Sequence, residues 1–180
     1  MTDLFVAEDQ RGSGLGWLLL DQLVGAHPRR MTSSSKHPAA LPVYGRAGMQ
    51  PRWNLLYLVG AAVGGGPPLQ PAPWRHDRPE LLSFFAALGA TITGDAAVLV
   101  TSKGAEVLRL HTDDAIAEMA ALLAAVPSGV PVRACVPSWH PLATWLRTDM
   151  DFRVEDHDVW CTTDDVIDRT DVSCVHAGLA

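Results

Sequence analysis

The chain has 180 residues, 48% of them hydrophobic and 19% charged, with a formal net charge of −6. This composition can bury enough apolar surface to offset chain entropy, which excludes an intrinsically disordered chain. No apolar run reaches the roughly 18 residues of a membrane span, and 14 Lys+Arg against 20 Asp+Glu leave no positive face for duplex nucleic acid.

In chain order the pattern alternates strands and helices. A short apolar strand is predicted at residues 4–7, then a helix at 14–26 with Leu15, Leu18, Leu19 and Leu23 at helical spacing. A short strand at 31–35 leads to a helix running towards Ala47. Pro42 belongs in its first turn, because in a helix interior it would cost about 3 kcal/mol, and Gly48 suits the C-terminal cap. A strand at 53–59 closes this half.

Residues 61–76, with Gly64-Gly65-Gly66-Pro67-Pro68, read as a linker. Pro79 then opens a helix whose Leu81, Phe84, Phe85 and Leu88 are expected on one face, and Gly89 closes it. Strands at 96–101 and 106–110 meet at a Lys103-Gly104 turn. Thr112 or Asp113 caps a helix through Val126 with Ile116, Met119, Ala120 and Leu123 as its buried stripe. A strand at 130–136, a helix at 140–150 and a strand at 154–161 follow. The expected organisation is a first unit at 1–60, the linker, a second unit at 77–165 and a polar tail at 166–180.

The two halves resemble each other. His37-Pro38 and His140-Pro141 are 103 positions apart, and the same offset pairs Arg30 with Arg133, Ala40 with Ala143, Met49 with Phe152 and Tyr57 with Trp160. It also lays Leu4-Phe5-Val6 on Val107-Leu108-Arg109, strand on strand. The halves part at two places. Arg11-Gly12-Ser13-Gly14-Leu15-Gly16 becomes Asp114-Ala115-Ile116-Ala117-Glu118-Met119, and Tyr44 becomes Arg147. Chemistry therefore belongs to the first copy, and the second is scaffold.

The segment carrying that chemistry is a strand, a turn and three alternate glycines opening a helix. Glycine permits positive φ and close approach of a ligand, and the free N–H groups of a helix start favour an anion such as a pyrophosphate. The spacing is not the Gly-x-Gly-x-x-Gly of a dinucleotide fold, and the Gly-Lys-Ser/Thr of a P-loop is absent.

Arg11-Gly12-Ser13-Gly14-Leu15-Gly16 resembles the Arg-x-x-Gly-x-Gly motif of the GNAT N-acetyltransferases, and residues 39–49, through Tyr44, Arg46 and Gly48, resemble that family's next helix. The resemblance implies an α/β fold, a GNAT-like (acyl-CoA N-acyltransferase) mixed sheet with flanking helices, here an incomplete first unit followed by a degenerate second one. It implies acetyl-CoA as co-substrate and a primary amine, small molecule or peptide, as acceptor. Backbone groups of Phe5 and Val6 would pair with the pantetheine arm, and N–H groups of Arg11, Gly12, Ser13, Gly14, Leu15 and Gly16 would hold the pyrophosphate. A backbone N–H near Val6 would stabilise the oxyanion, and Tyr44 would be the general acid. No general base is identifiable. The family's strands and helices ahead of the motif have no counterpart in this chain. The expected explanations are a fragment or wrong start, or a sheet completed by the second unit or another chain, as in a homodimer. The competing expectation is a GNAT-like binding or regulatory module without turnover.

The remaining constellations carry less. His157, Cys161, Cys174 and His176 lack zinc-ligand spacing, so no metal site is expected. Cys135 lies mid-strand, which disfavours a Cys135–His140 nucleophile pair. Three widely spaced cysteines and no secretory leader pattern point to the cytoplasm.

Overall fold

The computed structural model describes residues 6–25, 27–75, 79–163 and 174–175, with side chains at all of these except 79–82 and 174–175. A 3-10 turn, Glu8–Gln10, precedes α1 (Leu15–Val24), β1 (Met31–Ser34), α2 (Ala40–Arg46) and β2 (Gln50–Ala61). Then come α3 (Pro79–Ala87), β3 (Thr91–Ile92), β4 (Ala96–Thr101), β5 (Gly104–Leu110), α4 (Ala115–Ala125), β6 (Pro131–Pro137), α5 (Pro141–Thr148), β7 (Arg153–Thr162) and β8 (Cys174–Val175). The strand order is β1-β7-β2-β6-β5-β4-β3, with β8 paired to β5. Parallel and antiparallel pairs both occur, so this is a mixed α/β sheet with flanking helices, the GNAT-like architecture the sequence predicts. No helix among the described residues is long and apolar enough to cross a membrane.

The chain divides into two compact units: of the described residues, the first holds those up to Leu55 and 157–163, the second 56–156 and β8. In the first unit Leu20, Ala47, Met49 and Cys161 are buried together, with Trp17, Val24, Val43 and Tyr44 packed around them. Burying Leu20 alone contributes about 1.5–3 kcal/mol. The core face of α1 is therefore Trp17, Leu20 and Val24. The leucine stripe expected from the sequence is not the core: Leu18 and Leu23 are each 53% exposed. Leucines populate both sides of this helix, so periodicity could not choose between them. β1 is polar (Met-Thr-Ser-Ser) and exists through its pairing, Met31 opposite Thr162 and Ser34 opposite Val159 in β7. Arg30 fastens the neighbouring loop by donating from Nη1 to the Ala47 carbonyl at 2.8 Å and from Nε to the His27 carbonyl at 2.6 Å.

In the second unit β4 and β5 form the antiparallel hairpin, closed at Thr101 and Gly104, and β5 runs parallel to β6 over Ala105–Val107. Beyond that, Arg109 and Leu110 pair with Val175 and Cys174 of β8, so part of the expected tail is a strand. The rest of that tail lies outside the described residues. The buried face of α4 is Ala115, Met119, Leu122 and Leu123, about one position round from the expected stripe; Ala120 is exposed. In α3, Phe85 is fully buried while Phe84 and Leu88 are exposed. The glycine segment is not bare chain. Ala62 N–H donates to the Val130 carbonyl at 2.8 Å, and Val63 and Gly64 both donate to the Leu123 carbonyl.

Gly60 in β2 faces the buried ring of Phe152 at van der Waals distance, and a Cβ there would overlap the ring. Gly60→Ala should lower unfolding stability by about 1–3 kcal/mol in urea titration, and pairing it with Phe152→Leu should recover much of that loss.

Candidate functional site

The glycine loop is built by short backbone bonds. Gln10 N–H donates to the Ala7 carbonyl at 2.9 Å, and Ser13 donates to the Gln10 carbonyl from both its N–H, at 3.3 Å, and its hydroxyl, at 2.6 Å. Val6 and Ala7 form no strand, and Phe5 lies outside the described residues. Gly12 and Gly14 take φ of +82° and +86°, and a Cβ on either would meet nothing within 4 Å. Backbone conformation, not crowding, selects glycine here, and the chain stays open on its outer side. The first bond of α1 runs from Leu18 N–H to the Gly14 carbonyl at 3.0 Å. The N–H groups of Leu15, Gly16 and Trp17 therefore have no carbonyl within the helix. Leu15 makes only a long contact to Ser13 Oγ, 3.4 Å.

Two adjoining cavities of about 370 and 280 Å³ flank this loop and share Val6, Arg11, Gly16, Ala39 and Val43. The larger adds Gly12, Gly14, Leu15, Trp17 and Arg46; the smaller adds Ser35, His37 and Tyr44. Among the described residues neither lining contains Asp or Glu, although the chain as a whole is acidic. Two guanidiniums and a helix start thus face one open volume, an arrangement that suits a multiply charged anion. Of the residues singled out from the sequence, Val6, Arg11, Gly12, Gly14, Leu15, Gly16 and Tyr44 come together here. Ser13 lines neither cavity, and its N–H, expected to hold the pyrophosphate, donates to the Gln10 carbonyl, as the Arg11 N–H does to the Glu8 carbonyl at 3.2 Å. Arg46 and His37 were not among them. A basic residue two places after Tyr44 was visible in the motif, whereas His37 stood out only through the repeated His-Pro pair.

Those two histidines do the same thing. His37 Nδ1 accepts from Ala39 N–H at 3.2 Å, and His140 Nδ1 accepts from Leu142 N–H at 3.1 Å. Ala40 and Ala143 N–H donate to the respective histidine carbonyls, each at 2.9 Å. At the far end of α2, Met49 N–H reaches the Tyr44 carbonyl and Gly48 N–H the Gly45 carbonyl, a Schellman closure with Gly48 at φ +77°. After α5 it is Asp151 that is left-handed, at φ +55°. The start of α4 differs from that of α1: Asp114 Oδ1 accepts from Ala117 N–H at 3.1 Å, so this helix carries its own carboxylate cap.

A third cavity, about 310 Å³, opens on the second unit's sheet among Lys103, Glu106, Arg133, Arg153 and Glu155. Its mixed charges, with Arg133 Nε 3.7 Å from Glu155, give no single-sign field, so it is not the candidate site despite its size. Cys161 is buried beside Leu20 and Met49, and burial pushes its thiol up to about 11. It is a packing residue, protonated at neutral pH. Cys135 is likewise buried, in mid-strand. The side chain of Cys174, and His176, lie outside the described residues.

No protein-family model matches the sequence, and no curated protein matches it. Among solved structures the chain is similar to a candidate acetyltransferase from Pyrococcus horikoshii, with a TM-score of 0.66 and 9% identity over 97% of this chain and 69% of that one. A GCN5-related N-acetyltransferase from Sphaerobacter thermophilus matches at 0.46 with 13% identity over 93% and 74% of the two chains. A candidate acetyltransferase from Thermoplasma acidophilum matches at 0.45 with 16% identity over 87% and 65%. The first likeness shows a shared fold, and at these identities the comparison stops there.

Burial holds His140 below the ordinary imidazole range, so folding favours the neutral ring that caps α5. Below about pH 6.5 the unfolded chain takes up the proton more readily, and the stability this group provides is lost as pH falls through its folded pKa. His140→Asn keeps an acceptor for the cap without titrating. The stability advantage of wild type over that variant, read by urea unfolding, should therefore shrink between about pH 7 and pH 5.

Proposed function

We propose that the first unit binds acetyl-CoA as a substrate and catalyses transfer of its acetyl group to a primary amine, on a small molecule or a peptide. The observation that carries this reading is the loop of Arg11, Gly12 and Gly14 opening α1 into a cavity with two guanidiniums and no carboxylate. A pyrophosphate would take the N–H groups of Gly16 and Trp17, with Arg11 and Arg46 balancing its charge. Tyr44 lines the adjoining cavity, half-buried against the first unit's core, and a phenol is a group suited to give a proton to a leaving thiolate.

The reaction is a direct attack. The amine lone pair forms the new C–N bond, the carbonyl electrons move onto oxygen, and collapse breaks the C–S bond. The nitrogen loses one proton to solvent while sulfur gains one from Tyr44, which solvent then restores. The matching caps at His37 and His140, and the left-handed residue after both α2 and α5, support reading the chain as two copies of one unit. Only the first copy carries the glycine loop and the phenol.

Calorimetric titration with acetyl-CoA tests the reading, and absence of binding to wild type at millimolar ligand rejects it. Gly14→Asp, which installs at α1 the kind of carboxylate that caps α4, should weaken binding at least about 10-fold, while Gly14→Asn, with the same backbone cost but no charge, should lose much less. Tyr44→Phe should lower kcat by about 100-fold in a thiol-release assay and leave the acetyl-CoA Kd nearly unchanged. Tight binding without turnover on any amine would make the unit a binding module.

A further inference from the structure

We propose that His37 is a second catalytic residue of this site, acting as a neutral hydrogen-bond donor through Nε2 to the acyl oxygen as it becomes an oxyanion. This rests on the acetyl-transfer reading and adds to it a residue that the motif does not supply. The argument begins with the proton inventory of imidazole. A neutral ring carries one N–H and one lone pair, and which nitrogen holds which is set by the partner of the other. At His37 the Nδ1 lone pair is occupied by Ala39 N–H at 3.2 Å. Nε2 must then carry the proton. The ring can donate from Nε2 and cannot accept there, so with its cap intact His37 is not the missing general base.

Place decides the rest. His37 lines the same 280 Å³ cavity as Tyr44, Ser35 and Val6. The residues lining the cavity thus include a tyrosine, whose phenol can protonate sulfur, and a histidine, whose Nε2–H can bond oxygen. His140 makes the corresponding bond at the start of α5, its Nδ1 accepting from Leu142 N–H, so the same His-Pro turn engages the same ring nitrogen in both places. The step needs no proton from His37. When the amine attacks, the carbonyl π pair moves onto oxygen and the Nε2–H bond to that oxygen strengthens. When the C–S bond breaks, the pair returns and the bond relaxes, with the proton on Nε2 throughout. A neutral donor suits this role, since it stabilises developing charge without protonating the intermediate.

The test separates cap from donor. His37→Ser keeps an oxygen to accept from Ala39 N–H but withdraws the donor, whereas His37→Gln restores a side-chain N–H of similar reach. Serine should lower kcat about 100-fold with the acetyl-CoA Kd within about 3-fold, and glutamine should recover at least about 10-fold of that loss. An unchanged kcat in His37→Ser, or a loss matched by an equal loss of acetyl-CoA binding, overturns the proposal. A second readout needs no variant and no turnover. In histidine-¹⁵N-labelled wild type, long-range ¹H–¹⁵N spectra should show His37 as the Nε2–H tautomer, and its Nε2 proton should move downfield with acetyl-CoA but not with CoA. An Nδ1–H tautomer, or the same response to both ligands, overturns it. Failure of wild type to bind acetyl-CoA by calorimetry removes the acetyl-transfer reading itself. Binding with an indifferent His37 removes only this one.

Discussion

A helix start is a place where several N–H groups point the same way and something must answer them. In α4 the answer is internal: the Asp114 carboxylate accepts from Ala117 N–H, and the helix arrives already capped. In α1 it is not. Gly14 has no side chain to offer, its left-handed conformation turns the chain away, and the open space around its α-carbon leaves the first turn of the helix facing a cavity. The rest of the first unit is arranged round that deficit. Arg11 and Arg46 border the same volume, and Trp17 and Leu20, one turn further on, anchor the helix to the core so that its start stays where it is.

Anchoring comes from bonds with no chemical role. Arg30 ties the loop after α1 to the end of α2 through the Ala47 carbonyl, and Thr163 exchanges bonds with Arg30, its Oγ1 accepting from Arg30 N–H at 2.9 Å. α2 is only seven residues long and is flanked at both ends by closed turns, the one just ahead of it in which His37 Nδ1 accepts from Ala39 N–H and the Schellman turn at Gly48. That turn holds Tyr44 by its carbonyl, so the residue assigned to proton transfer is fixed by backbone as well as by packing. The second unit keeps the histidine bond at the start of α5 but closes the other end differently, with Phe152 N–H donating to the Leu146 carbonyl at 2.9 Å, and it has Asp151 where the first has Gly48. Aspartate is among the few side chains that tolerate the left-handed region, so scaffold can drift at this position without losing its turn.

The sequence was most legible where a residue has one stereochemical use. Proline and glycine placed α2, with Pro42 in its first turn and Gly48 past its end, and the glycine loop, because a missing N–H and a positive φ are properties of the residue itself. It was least legible where the choice lay with a partner. α1 has leucines on both sides, and only contact with Met49 and Cys161 selects Leu20 over Leu18. The sequence predicts β1 as a strand at 31–35, but not its pairing with β7, more than a hundred positions away in the chain. β3 and β8 are two residues each, below the length at which a period exists. The site divides the same way. Its glycines and Tyr44 could be named from the resemblance their motifs carry, but His37 acquires meaning only when α2 is laid beside the loop and the residue lines the same cavity as Tyr44.

One feature of the first unit reaches beyond binding and chemistry. Trp53 in β2 and Trp160 in β7 lie nearly parallel, their rings 6.4 Å apart and tilted by only 14°. Indoles this close couple their electronic transitions, and a twist between their transition dipoles would give this unit an excitonic circular-dichroism couplet of its own. Loss of that couplet on heating would follow the parting of two strands rather than the melting of helices, an optical marker set apart from the second unit's backbone signal.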